Sequence, residues 1–249
     1  MGILSAGGSD IGRKRKTNQD SICVASEYHL YAVADGMGGH NGGDIASQLS
    51  VKIMPEFYAA HSGDEPHQLM KTLIQNINNS IFEKAKVQPE LLGMGTTVSA
   101  ILFAGPQLIV GNVGDSRVYL INNNHIFQLT RDHSFVQEKL NMGLYTREEA
   151  VKDPQKNVLV RSVGFEPDLL VDVFNYRICK NDIFMICSDG LHGKVSDGDI
   201  LHLIHKNIPD PAHCTQAQVK AAVDDLISQA NENGGQDNIS VIVAVAQAS

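Results

Sequence analysis

Residues 96–130 read TTVSAILFAGPQLIVGNVGDSRVYLINNNHIFQLT. The apolar runs TTVSAILFA, QLIVGNVG, SRVYLINN and HIFQLT are separated by the turn signals Gly105-Pro106, Gly114-Asp115 and Asn123-Asn124. Short runs rich in β-branched residues and punctuated in this way read as an antiparallel meander. Working outward, SICVAS and HLYAVAD before it, and DLLVDVFNY, DIFMICS and NISVIVAVA after it, read as further strands. The last is apolar almost without interruption, which predicts burial on both faces. Segments 42–60, 67–86, 197–205 and 216–231 read as helices; in the second, Leu69, Leu73, Ile77 and Ile81 recur at helical spacing. Residues 133–157 are polar and weakly periodic, with short helical pieces in SFVQEKLN and TREEAV. Strands and helices come in blocks, not in strict βα alternation. That pattern predicts an α+β fold in one domain over residues 1–249, with two packed, mainly antiparallel sheets and helices on the outer faces.

The apolar runs end on acids. Asp35, in VADGMGG, Asp189, in ICSDGL, and Asp237, in GQDNIS, are each followed at once by Gly or Asn. Each alone is an ordinary Asp-Gly turn or helix N-cap. Together with Asp20 in RKTNQD and Asp115 in GNVGDSR they form a set of carboxylates at strand ends. Clustered carboxylates repel one another unless cations offset them. An all-oxygen donor set favours Mg²⁺ or Mn²⁺ over Zn²⁺. The glycines after Asp35 let backbone approach an ion closely. Arg15, in the basic run 13–16, adds a bidentate phosphate binder beside the metal-binding acids. Two metals and an arginine suit phosphate-ester hydrolysis.

Composition removes other classes. The formal net charge of −8 argues against general nucleic-acid binding. No apolar run approaches the ~20 residues needed to span a bilayer, and the N-terminus lacks a secretory h-region. The expectation is a cytoplasmic protein that uses no membrane. Its cysteines, Cys23, Cys179, Cys187 and Cys214, form no CxxC pair and are expected as buried, reduced thiols. None has an arginine at the spacing of a Cys-x5-Arg nucleophile loop.

Seven motifs occur in order: RxxNQD (15–20), DGMGGH (35–40), GTT (95–97), GDSR (114–117), LTRDHS (129–134), SDGL (188–191) and QDNIS (236–240). The series resembles the PP2C (PPM) type of metal-dependent protein serine/threonine phosphatases, in its bacterial form. The resemblance runs from about Gly7 to Val245. It implies a four-layer α-β-β-α sandwich. It also implies that Asp35 bridges two metals, that the Gly36 carbonyl binds one, and that Asp189 and Asp237 complete that shell. Asp20 would bind metal or its waters, Asp115 a third, looser metal, and Arg15 the substrate phosphate. Asn157 lies where the family's flap, here 133–157, approaches that third metal. Gln19 and His40 are further candidates.

The mechanism so implied is direct attack by a metal-bridging water on the phosphorus of a phosphoserine or phosphothreonine protein, opposing a cognate serine/threonine kinase, in a monomer. Two departures stand out. Met37 occupies a position where many eukaryotic relatives carry a His that is a candidate general acid, leaving metal-bound water or His40 to protonate the leaving oxygen. Gln19 stands where many relatives have Glu, which predicts weaker affinity for the second metal. The alternatives are a metal-dependent nuclease or phosphodiesterase, which the acidic charge disfavours, and a pseudophosphatase binding module, which would lack one of the core aspartates.

Overall fold

Side-chain alternation determines where each strand's two faces go. The structure, a computed structural model, describes residues 2–37 and 42–247. Its first elements are β1 (Gly2–Asp10), β2 (Asp20–Ala25), β3 (Leu30–Met37), α1 (Gly43–His61) and α2 (Pro66–Val87). Then come β4 (Gly95–Thr96), β5 (Val98–Ala104), β6 (Gln107–Val113), β7 (Arg117–Asn122) and β8 (His125–Gln128). The chain continues through α3 (Phe135–Asn141), α4 (Arg147–Lys152), β9 (Asp172–Arg177), β10 (Ile183–Cys187), α5 (Asp189–His192), α6 (Asp197–Asn207), α7 (Gln216–Glu232) and β11 (Ile239–Gln247).

One sheet has the order β1-β11-β10-β7-β8; the other runs β2-β3-β5-β6-β9, with β4 paired to β3. In β3, Tyr31 and Val33 point into the layer between the sheets, while Leu30, Ala32 and Ala34 face α1 and α2. In β11, Ile242, Ala244 and Ala246 enter the same inner layer, and Val241, Val243 and Val245 face α6 and α7. Both faces of β11 are therefore buried, as its unbroken apolar sequence predicts. Aromatic contacts knit the inner layer: Phe103 meets Phe184 edge-on at 5.6 Å and Tyr31 at 6.0 Å. Truncating a fully buried ring such as Phe184 to alanine would cost about 3–5 kcal/mol. The result is the four-layer helix–sheet–sheet–helix sandwich.

Local chemistry explains the helix starts. Pro66 opens α2 while the Glu65 carboxylate accepts the His67 and Gln68 backbone N–H groups. Thr215 and Gln218 form a capping box at α7.

Two expectations change, and the structure adds one strand that was not read from the sequence. First, the runs of 96–130 do not form one meander. β5 pairs β6 in one sheet and β7 pairs β8 in the other, so the chain crosses between sheets at 114–116. Gly114 makes the crossing with φ of 107°, where a Cβ would stand 2.5 Å from the Thr97 methyl. The added strand, β1, carries no apolar alternation in its sequence, GILSAGGSD, yet it pairs with β11 along its whole length. Gly8 is there for packing: a Cβ would come within 2.8 Å of Ile227 on α7. Second, Cys23, Cys187 and Cys214 are buried but Cys179 is exposed; all are free thiols. Cys179 precedes the Lys180-Asn181 turn into β10, outside any packed face.

Candidate active site

The acids are brought together because strands of both sheets end at the same edge of the sandwich. Asp35 lies near the end of β3 and pairs in register with Asp20 at the start of β2. Asp189 opens α5 just after β10, and Asp237 comes just before β11, the neighbour of β10. Asp115 sits in the crossing between sheets. Arg15, Gln19, Asp35, Gly36, Met37, Thr97, Asp115, Asn157, Leu159, Asp189, Asp237 and Asn238 surround one pocket of about 260 Å³. Asp20 is not on its wall. It lies behind, 7% exposed, against Asp35. His40 falls outside the described residues.

A web of hydrogen bonds ties the two sheets together here. Ser188 Oγ donates to Asp20 Oδ2 at 2.8 Å and accepts the Ser240 N–H at 3.0 Å. Thr97 Oγ1 accepts the Asp35 N–H at 3.0 Å, and the Thr97 N–H donates to the Asp35 carbonyl at 2.8 Å. Asn238 Oδ1 accepts the Gln19 N–H at 2.9 Å. The half-buried His192 ring donates from Nε2 to the Asp115 carbonyl at 3.0 Å, and desolvation pushes its pKa down to about 3, so the imidazole is neutral. Two glycines permit close backbone approach: a Cβ at Gly36 would lie 2.1 Å from the Gly43 carbonyl oxygen, and one at Gly190 would lie 1.9 Å from the Asn238 carbonyl oxygen.

The charge is unbalanced. Burial, then the neighbouring Asp20 and Asp189, holds the Asp35 carboxyl well above the usual carboxylate range. Burial and Asp189 push Asp115 up to about 8. Burial is also the first cause at Asp20 and Asp189, each raised to about 6. Against these acids stands Arg15, half-exposed, whose Nη2 reaches Asp237 Oδ2 at 2.6 Å. Asp20 Oδ1 is buried with no hydrogen-bond partner.

Facing acids, an orphaned carboxylate oxygen and an all-oxygen donor set fit hard divalent cations. Among the described residues no three acidic, His or Cys side chains already converge as a finished ligand shell. The carboxylates ring a shared space instead, as a site holding more than one ion would require. A larger depression of about 480 Å³ lies at the opposite end of the β7–β10 pair, lined by Asn123, Asn124, Asn181 and His205. Its one acid, Asp210, is exposed and tied to His213 at 2.7 Å, so that depression lacks the charge for metal chemistry.

The strand-end acids and Arg15 were legible in sequence and do converge. Ser188, Thr97 and Asn238 were not singled out individually, although each lies inside a quoted motif. His192 had no sequence signal beyond its place after SDGL. Asn157 does reach the pocket, together with Leu159 just beyond the flap's end.

Comparison with known proteins agrees with this geometry. Residues 8–241 match the Protein phosphatase 2C family. The serine/threonine phosphatase Stp of Listeria welshimeri is 35% identical over 242 residues, covering 94% of this chain and 92% of that protein. The crystal structure of the Mycobacterium tuberculosis serine/threonine phosphatase PstP/Ppp superposes with a TM-score of 0.89 at 34% identity, covering 99% of each chain. The PstP catalytic domain in complex with two manganese ions gives 0.86 at 32% identity, again over 99% of each. The chain belongs to the protein phosphatase 2C family.

Proposed function

We propose that the chain is a metal-dependent protein serine/threonine phosphatase. The observation that carries this reading is the ring of Asp35, Asp115, Asp189 and Asp237 about one pocket that also holds Arg15. The named activity of the Listeria and mycobacterial relatives supports it, as do the two manganese ions in the PstP catalytic domain. Asp35, Asp189, Asp237 and the Gly36 carbonyl would hold Mn²⁺ or Mg²⁺ in the core site, with Asp20 supporting Asp35 from behind. Asp115, with Asn157 from the flap 133–157, would hold a third ion. When bound, the cations would supply Lewis acidity and a water acidic enough to serve as nucleophile at neutral pH.

The chain's own residues do the rest. Arg15 exchanges Asp237 for the phosphoryl oxygens and fixes the phosphate by paired hydrogen bonds. Thr97 and Ser188 hold the strand ends, so Asp35 and Asp20 keep their places without rearrangement during turnover. Met37 lines the wall with no proton to give, so the leaving oxygen takes its proton from water or from His40.

The reading extends to one catalytic domain over 1–249, a cytoplasmic monomer whose substrates are phosphoproteins made by a serine/threonine kinase. No described helix is long and apolar enough to cross a membrane. The test is hydrolysis of p-nitrophenyl phosphate and of a phosphothreonine peptide. Turnover with Mn²⁺ that stops with EDTA supports the proposal, and an inactive Mn²⁺-loaded chain refutes it.

A further inference from the structure

Of the basic run 13–16, the phosphatase reading uses only Arg15. We propose that its neighbours form a cationic rim that selects phosphopeptides with acidic residues next to the phosphorylated side chain. The inference rests on the reading of the site above.

The loop is held in place beside the pocket. Asn238 Nδ2 donates to both the Ile11 and the Thr17 carbonyls at 3.0 Å, clamping the loop's two ends to one side chain on the pocket wall. The Arg13 N–H donates to the Gly235 carbonyl at 2.7 Å. Gly12, at φ of 80°, lies so close to the 235–237 loop that a Cβ would stand 2.2 Å from the Asp237 carbonyl oxygen. The backbone carrying residues 13–16 is therefore stitched to the segment that supplies Asp237. Its position next to the pocket is built in.

The charges on it are free to meet a ligand. Arg13, Lys14 and Lys16 are exposed, and none makes an ion pair among the described residues. The acids at the loop's base are engaged: Asp10 accepts from the Gly12 N–H and from Asn231, and Asp237 accepts from Arg15. Beside the 235–237 segment that holds this loop, the Lys194 ammonium donates to the neutral Gln236 amide oxygen and makes no ion pair among the described residues. An acidic chain thus places unpaired cations along one border of its acidic pocket. Such a border attracts carboxylates or further phosphates that flank the scissile group and repels basic flanks.

The test compares kcat/KM of the Mn²⁺-loaded protein on two phosphothreonine peptides, one with Asp and Glu flanks and one with Lys and Arg flanks. p-Nitrophenyl phosphate, which has no flanks, is the control. Wild type is expected to favour the acidic peptide by about tenfold at low salt, with the preference shrinking as salt screens it. Lys14→Ala and Lys16→Ala should each lower kcat/KM on the acidic peptide by about two- to fivefold and leave p-nitrophenyl phosphate hydrolysis unchanged. Equal rates on the two peptides, or a preference that Lys14→Ala and Lys16→Ala combined in one chain leave in full, would overturn the rim while leaving the phosphatase reading intact. A wild type inert toward p-nitrophenyl phosphate as well would overturn both.

Discussion

Two clusters of partly buried charge lie within a few residues of each other, and they are built differently. Arg117 Nε and Nη2 grip the Asp132 carboxylate at 2.7–3.1 Å, Nη1 donates to the Tyr119 hydroxyl at 3.0 Å, and Gln128 adds a donor to Asp132 at 2.7 Å. Burial works against the guanidinium's charge, but Asp132 more than offsets it and the pKa is raised. Every charge there has its partner inside the protein. Two residues before Arg117, Asp115 belongs to the other cluster, where acids face acids and one half-exposed arginine cannot neutralise them. The first cluster is complete as folded and ties the start of β7 to the segment after β8. The second is completed only by cations from solution, and that incompleteness identifies the site.

The sharpest way to break this contrast is to edit one charge in each cluster. Asp189→Asn should lower phosphopeptide hydrolysis by about 10²–10³-fold or more. It should leave the metal-free protein at least as heat-stable as wild type, because it removes one of the facing acids. Arg117→Met should do the reverse in kind. It leaves Asp132 buried and unpaired, costing about 3–5 kcal/mol, read as a lowered melting temperature that Mn²⁺ does not restore to the wild-type value. If Asp189→Asn melted like Arg117→Met, the acid cluster would be structural and the contrast would fail.

Metal itself should stabilise the native chain. Mn²⁺ at a hundred times its dissociation constant adds about 2.7 kcal/mol, visible as a melting shift that EDTA reverses and that Asp35→Asn largely abolishes.

The pH dependence of the metal-free protein follows from the same imbalance. Asp20 and Asp189 are raised to about 6 and Asp115 to about 8, whereas unfolded aspartates titrate near ~3.9. The folded state therefore binds more protons across that interval, and its stability falls as pH rises from about 4 to about 8. The loss should be smaller with Mn²⁺ present. A flat thermal-melt profile without metal would remove the electrostatic argument.

The sequence made the acid cluster legible because the geometry is local to each strand end: an apolar run, then Asp, then Gly or Asn. The partnered cluster was hidden. Arg117 and Asp132 sit in quoted motifs, but their pairing depends on β7 turning back through β8, which no single motif announces. The jump between sheets at Gly114 was hidden for a related reason. A Gly-Asp turn inside a run of strands looks the same whether the next strand pairs locally or joins another sheet. β1 escaped because its glycines, Gly8 packed under Ile227 of α7 and Gly7 against Val24, Ile22 and Ile242, erased the alternation that marks a strand.

A smaller effect sharpens the picture at the pocket's margin. Gln19 lines the pocket and contributes no charge. Gln19→Glu should tighten Mn²⁺ binding by about two- to fivefold, the scale of one partly exposed charge contact. Unchanged affinity in a metal titration would show that this position lies outside the ions' reach.

The central claim is that the acid cluster is finished by divalent cations and the arginine cluster is not. Calorimetric titration of the metal-free chain with Mn²⁺ tests it most directly. The account predicts binding of at least two ions per chain, the number in the PstP catalytic domain, with Asp35→Asn losing that binding while remaining folded. A chain that binds no Mn²⁺, or an Asp35→Asn variant that binds it as wild type does, would contradict the account.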